Sequence, residues 1–241
     1  MKKISFIAAA ALYILITQHA NAVTTITSPY VKKGKHQIST DGYYAVETDN
    51  SSDYKFRERI TSDFGVTEDI GLRFRVTGEQ DDNRSFESSY FEAALKYEIG
   101  NKGENLIDSA LYFSFIQQTY GADDSIAQFK YLFGKETTKW KHLGNLNFQK
   151  TFGDDFSDTG VSLYLSSLKK LDDDFSLGYQ YFGEFGNFGN LDVRNEKHSI
   201  GPWLSYTQPT YTADLGVQLG LTNEERDVTV QWRLSVPFTS L

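Results

Sequence analysis

The stretch that decides the fold is Asp227–Phe238, DVTVQWRLSVPF, near the end of the chain. From Val228 onward apolar and polar residues alternate without a break, with Val, Val, Trp, Leu, Val and Phe on one face and Thr, Gln, Arg, Ser and Pro on the other. A period of two residues is that of a β-strand, because successive side chains of a strand point to opposite faces. The pattern therefore predicts a strand with one long apolar face.

An apolar strand face that ends on an aromatic residue near the C-terminus resembles the terminal strand of bacterial outer-membrane β-barrels. The assembly machinery of that membrane recognises this strand as a signal. The resemblance therefore implies that the barrel-assembly machinery is a partner of this protein. Here the aromatic residue is Phe238, and Thr239, Ser240 and Leu241 follow it. In the usual pattern the aromatic residue is itself the last one.

The N-terminus has the features of a secretory signal peptide. Lys2 and Lys3 precede an apolar run from Ile4 to Thr17, and Ala20-Asn21-Ala22 is a small-x-small cleavage site. We therefore expect residues 1–22 to be removed and residues 23–241 to form one outer-membrane barrel domain. No later segment approaches the roughly 18 uninterrupted apolar residues of a membrane helix. The chain has no cysteine, so the exported domain is not stabilised by a disulfide bond.

Alternating segments separated by turn residues recur along the whole chain. They number about twelve, the even count expected of a single-chain barrel with both termini in the periplasm. The predicted fold is therefore all-β, a transmembrane antiparallel up-and-down β-barrel of about twelve strands. The connections predicted to lie outside the cell are residues 49–53, 79–85, 119–124, 153–158, 186–196 and 222–226. We expect a β-bulge at Gly201–Pro202, because proline removes a ladder hydrogen bond.

A soluble periplasmic β-sandwich is the competing fold. Its solvent face would be rich in Lys, Glu and Thr, whereas the polar face of the later strands is small and polar, with Gly, Ser, Asn, Gln and Thr. Such residues suit a crowded lumen. If the chain is a membrane barrel, several aromatic residues are expected at the membrane interface, and in a sandwich they would be core residues: Tyr131, Trp140, Trp203, Trp232 and Phe238.

The charged residues on the polar face of the strands are predicted to line the lumen. These pore-lining candidates are Lys55, Arg57, Arg59, Arg73, Arg75, Glu92, Lys96, Glu98, Lys130 and Arg233. The arginines on two adjoining strands repel one another unless they are compensated. Either they form a basic track that favours anions, or Glu92 and Glu98 neutralise them in a structural network that plugs the lumen.

Neither an enzyme site nor a metal site stands out. Outside the leader the histidines are His36, His142 and His198, and the His-x-Ser arrangement that would place both side chains on one strand face is absent. A nucleophile and a base could still meet from different strands. The aspartate pairs at predicted turns lack EF-hand spacing. We expect no cofactor and no metal site, and a net charge of −8 argues against nucleic acid as a partner.

Several phrases of the sequence resemble the outer-membrane barrel proteins grouped with the phenol meta-pathway family. They are GKHQISTDGYYAVETD at 34–49, DFGVTEDIGLRF at 63–74, FEAALKYEIG at 91–100, HSIGPWLSYT at 198–207 and TADLGVQLGL at 212–221. The likeness spans most of the chain beyond the leader. It implies a channel or transporter in the outer membrane, and it brings no catalytic residues.

The function predicted from the sequence is passive passage of small solutes across the outer membrane of a Gram-negative bacterium, with an anion preference if the basic track is open. One alternative is a non-conducting structural or adhesion barrel that presents acidic outer loops to lipopolysaccharide or to another cell. A second is an outer-membrane lipase or deacylase. The expected surroundings are outer-membrane lipid and lipopolysaccharide.

Overall fold

The computed structural model describes residues 25–46, 54–81, 85–100, 102–119, 125–152 and 159–239. The predicted signal peptide, residues 1–22, lies outside them. The described residues form twelve long strands and one strand of two residues, with no helix long and apolar enough to cross a membrane. The strands are β1 (Lys35–Val46), β2 (Tyr54–Gly65), β3 (Ile70–Asp81), β4 (Glu87–Ile99), β5 (Asp108–Gln118), β6 (Ser125–Glu136), β7 (Trp140–Phe152), β8 (Gly160–Lys170), β9 (Phe175–Asn187), β10 (Asn190–Leu191), β11 (His198–Gln208), β12 (Tyr211–Gly220) and β13 (Val228–Thr239).

The twelve long strands close into a single barrel. Each pairs antiparallel with the next along the chain, and β9 pairs with both β8 and β11, while the short β10 pairs only with β9. Closure comes from β13, which pairs with β1 from Lys35 opposite Thr239 to Val46 opposite Val228. The predicted up-and-down barrel of about twelve strands is confirmed. Because the barrel is closed, none of these twelve strands leaves an unpaired edge.

The two faces of the wall differ as the alternation predicts. Large apolar side chains on the outer face are exposed, among them Ile60, Phe115 and Leu215, whereas polar and ionised side chains on the inner face are buried, among them Asp41 and Lys130. This is the reverse of a soluble sheet, and it suits a wall with lipid outside and a polar lumen inside.

A stretch without regular structure, residues 25–34, runs inside the barrel. We call it the luminal segment. It leaves the lumen where β1 begins, and there the N–H of Gly34 donates to the carbonyl of Gly65 at 3.0 Å. Deeper inside, Tyr30 donates its hydroxyl to Asp108 at 3.0 Å, and Ile26 is buried beside Phe182.

The bulge predicted at Gly201–Pro202 is wrong. The register between β11 and β12 is the same on both sides of these residues, with Ile200 opposite Leu219 and Trp203 opposite Gly216. Gly201 and Pro202 pair with β9 but have no ladder partner on β12. Proline has no N–H to donate, and the strand accommodates it by omitting pairs without inserting a residue. The register shifts instead lie at Thr77/Gly78 and at Gly160/Ser162.

Candidate functional site: the barrel lumen

Ionised side chains occupy the inner face of β1 to β7, β12 and β13. All ten pore-lining candidates occupy inward positions, because they share the strand parity of buried luminal residues such as Asp41, Arg59 and Lys130. Their part in conduction stays a prediction. They are Lys55, Arg57, Arg59, Arg73, Arg75, Glu92, Lys96, Glu98, Lys130 and Arg233.

Every one of the five inward arginines is matched by a carboxylate directly opposite it on a neighbouring strand. Arg73 Nε and Nη2 contact the two oxygens of Asp63 at 2.7 and 3.0 Å, a bidentate arrangement. Arg75 Nη1 donates to Glu92 at 2.9 Å. The other pairs are Arg57 with Glu79, Arg59 with Asp41 at 2.7 Å, and Arg233 with Asp214 at 2.7 Å. The arginines are therefore compensated, largely by carboxylates other than the predicted Glu92 and Glu98.

Two of the candidates, Lys96 and Glu98, bond to the main chain of the luminal segment. Lys96 Nζ donates to the backbone carbonyls of Ser28 and Tyr30 at 3.2 and 2.6 Å. The carboxylate of Glu98 accepts the backbone N–H of Val31. These charged groups satisfy main-chain groups that would otherwise be buried without partners.

The luminal segment also bonds to Asn145 on β7, a residue that was not singled out from the sequence. Asn145 pairs with the main chain of Thr27 in both directions, at 2.7 and 2.8 Å. Among the candidates, the Arg59 guanidinium donates to Thr25 at 2.7 Å. The segment directly precedes a barrel strand, and its residues do not alternate between apolar and polar. No sequence pattern therefore indicated that it would turn into the lumen.

A cavity of about 400 Å³ lies beside the luminal segment, towards the end of the barrel where β1 begins. Ionised side chains of both signs line it, including Asp63, Arg73, Lys96, Lys141 and Asp214. Lys141 is an inward lysine that was not among the predicted pore-lining residues. A polar solute of either charge would find a partner here.

Four of the five predicted interface aromatics point outwards, namely Tyr131, Trp140, Trp232 and Phe238. The prediction for Trp203 is wrong. Because the register continues unbroken across Pro202, Trp203 keeps the inward parity of Ser199, and its side chain is buried. Its ring lies against Gly216, where a Cβ would come within 2.1 Å of Trp203 Cε3.

The outer face contains one serine–histidine pair that was not foreseen from the sequence. Ser167 Oγ and His142 Nδ1 are 2.9 Å apart, because the two residues are directly opposite each other on β8 and β7. Over the described ranges, no carboxylate hydrogen-bonds to His142, so the pair lacks the third group that orients a catalytic base. Nor do these ranges contain three or more His, Cys, Asp or Glu side chains grouped to hold a metal ion.

Comparisons with known proteins bear on the fold. No family model and no curated protein matches the chain. Solved structures do match. The COG4313 outer membrane channel from Pseudomonas putida F1 is 12% identical, with a TM-score of 0.61 over 90% of this chain and 100% of that one. The NanC porin is 11% identical, with a TM-score of 0.56 over 85% and 100%.

A third match is the KdgM porin, 14% identical, with a TM-score of 0.54 over 85% of this chain and 99% of that one. This chain has the fold of outer-membrane channel proteins. At such low identities the likeness shows the fold and leaves the solute open. The resemblance to the phenol meta-pathway family stays a prediction.

Proposed function

We propose that this protein is an outer-membrane channel for small polar solutes whose lumen is narrowed by its own luminal segment. The observation that carries the proposal is the inner wall itself, which is polar and ionised and borders a cavity of about 400 Å³. The fold of outer-membrane channels and the predicted leader support a place in the outer membrane of a Gram-negative bacterium.

A charged wall has a cost that a purely structural barrel could avoid. Burying an ion pair removes both charges from water, and well-packed apolar residues of similar volume often stabilise a protein at least as well. Barrels of eight strands are filled by side chains, whereas those of 16 to 18 leave a wide channel. A twelve-stranded barrel with a polar wall falls between these cases and suits a narrow aqueous path.

The arrangement of charges favours weak ion selectivity. Each inward arginine faces its own carboxylate, so the arginines form no uncompensated basic track. Any anion preference would come from inward lysines, among them Lys96, Lys130 and Lys141. Among the described residues, none of these three ammonium groups lies within 4.0 Å of a carboxylate.

One observation favours the second candidate, a non-conducting barrel. The luminal segment is bonded to β1, β2, β3, β4, β5 and β7. If it never leaves, the barrel is closed to solutes. A structural or adhesion role would then fit better.

The test is single-channel conductance of refolded residues 23–241 in a planar bilayer under a salt gradient. We expect small conductance steps with a reversal potential near zero. Heat-dependent migration on a gel, which reports a folded barrel, is the control for each preparation. A folded protein that gives no steps, and whose vesicles do not swell in small sugars, would overturn the channel and favour the non-conducting barrel.

A further inference from the structure

One part of the lumen carries no ionised side chain. On the inner face of β11, positions 199, 201 and 203 are Ser, Gly and Trp. On β12, positions 216, 218 and 220 are Gly, Gln and Gly, and on β13, positions 229 and 231 are Thr and Gln. We call Ser199, Trp203, Gln218 and Gln231 the amide wall. It adjoins β1, where Tyr43 is the ladder partner of Gln231.

The amide wall has hydrogen-bonding atoms that no group of the described residues satisfies. They are Ser199 Oγ, Trp203 Nε1, Gln231 Nε2 and both amide atoms of Gln218. The four side chains are 1%, 3%, 6% and 0% exposed, respectively. Buried polar groups in native proteins are almost always paired with protein or water, so this concentration on three adjacent strands points to a partner from outside the chain.

Glycine allows close packing within the wall. Gly216 lies directly opposite both Trp203 and Gln231, and the Trp203 ring occupies the space that a Cβ at Gly216 would take. The indole ring therefore lies flat against β12, between the amide groups of the wall.

We propose that the amide wall binds an uncharged polyhydroxylated solute, a sugar or a polyol. A hydroxyl group both donates and accepts, which matches the oxygen and nitrogen of a side-chain amide, the serine hydroxyl and the indole N–H. The indole ring offers an apolar surface to the C–H face of a sugar. An ionised solute would lose its hydration without gaining an opposite charge here. The inference names the solute class of the proposed channel and therefore rests on that function.

The luminal segment passes beside this wall. Ile26 belongs to one buried cluster with Phe182 and Tyr43, and these two residues are the ladder neighbours of Ser199 and Gln231. Because the wall is buried, a solute can reach it only if neighbouring side chains give way. Shortening one of them in Ile26→Ala should therefore tighten sugar binding.

The experiment measures binding to the refolded protein in detergent, so that it does not depend on an open pore. Of the three tryptophans, only Trp203 remains in the variant Trp140→Phe/Trp232→Phe. Its fluorescence reports binding during titration with glucose, glucuronate or glucosamine. Glucose should bind more tightly than either charged analogue. Gln218→Leu/Gln231→Leu in the same background should weaken glucose binding about tenfold or more.

The matched control is Gln149→Leu, an inward glutamine on β7 whose amide already accepts a hydrogen bond from Gln128 at 3.2 Å. It should leave glucose binding unchanged. The proposal is overturned if glucose does not bind, if a charged analogue binds as tightly, or if the folded double leucine variant binds as the parent does. Sugar binding without conductance would contradict the channel function and support sugar binding by the amide wall. Conductance without sugar binding would support the channel function and contradict sugar binding by the amide wall.

Discussion

Asn145 holds the main chain of Thr27 from both sides, although the two residues are 118 positions apart. Its Oδ1 accepts the Thr27 N–H at 2.7 Å, and its Nδ2 donates to the Thr27 carbonyl at 2.8 Å. A side-chain amide thus replaces a neighbouring strand for one residue of the luminal segment. Both partners are buried, so water does not compete for this pairing between the segment and the wall.

Replacing Asn145 should therefore loosen the segment. Asn145→Ala leaves the Thr27 N–H and carbonyl without partners, at about 1–3 kcal/mol for each buried group. We expect larger conductance steps than in the wild type. Because the chain has no cysteine, Ser28→Cys can report the change through faster labelling by a water-soluble thiol reagent.

Asn147→Ala is the control for this prediction. Asn147 is also buried on the inner face of β7, but it donates to Ser162 on β8 at 3.1 Å and not to the segment. Labelling of the thiol introduced at position 28 should not accelerate in that variant. Equal acceleration in both variants would contradict a specific role for Asn145.

Removing one member of the buried pair of Asp41 and Arg59 should lower the free energy of unfolding strongly, whereas replacing both with apolar residues should lower it little. Asp41→Ala leaves a buried guanidinium without its carboxylate, which typically costs about 3–5 kcal/mol. Asp41→Leu/Arg59→Met removes both charges and should recover most of that loss. The measurement is the free energy of unfolding by urea in detergent micelles.

The exposed pair of Lys33 and Glu68, 3.9 Å apart, provides the comparison. Exposed pairs contribute roughly 0–1 kcal/mol, so Lys33→Ala should have little effect. A double variant as unstable as Asp41→Ala would show that the pair gives stability that apolar packing cannot.

Ion selectivity should follow the matched pairs of the lumen. Arg57→Ala/Arg73→Ala leaves Glu79 and Asp63 without their cations, so the reversal potential under a salt gradient should move towards cation preference. Glu79→Gln/Asp63→Asn should move it in the opposite direction. Anion selectivity that survives the double alanine variant would exclude these arginines as its source.

The alternation of the sequence was enough to predict the long strands and the inward position of the ten pore-lining candidates. It could not supply the carboxylate partners of the arginines, because Asp41 meets Arg59 only once the register of β1 on β2 is set. Register is fixed by turns and by the whole set of neighbours. The same limit explains His142 and Ser167, which meet across β7 and β8 although they are 25 positions apart.

The luminal segment and Trp203 were missed for different reasons. The segment has no period, and its hydrogen bonds go to strands from β1 to β7 that are mostly distant in sequence. Trp203 follows a proline, which suggested an irregularity in the strand. The structure instead omits ladder pairs there and keeps the period of two.

The connection between β12 and β13 should make stability depend on pH through Glu225. This side chain is buried, and its carboxylate accepts the backbone N–H of Arg226 at 2.9 Å. Burial raises the pKa of Glu225 from 4.5 to about 7, with repulsion from Glu184 adding to the effect and Lys197 opposing it. Between those two pH values the folded protein holds a proton that the unfolded chain has lost, so stability falls as pH rises through this window.

Glu225→Gln removes the titrating group and should remove this dependence. At pH 4 the variant and the wild type should have nearly equal free energies of unfolding, because the wild-type carboxyl is then mostly neutral in both the folded and the unfolded state. At pH 8 the variant should be the more stable one, by no more than about 3 kcal/mol. Glu224→Gln, at the exposed neighbouring position, should show no such difference. A gap between Glu225→Gln and wild type that is the same at pH 4 and pH 8 would mean that Glu225 is not the group that titrates.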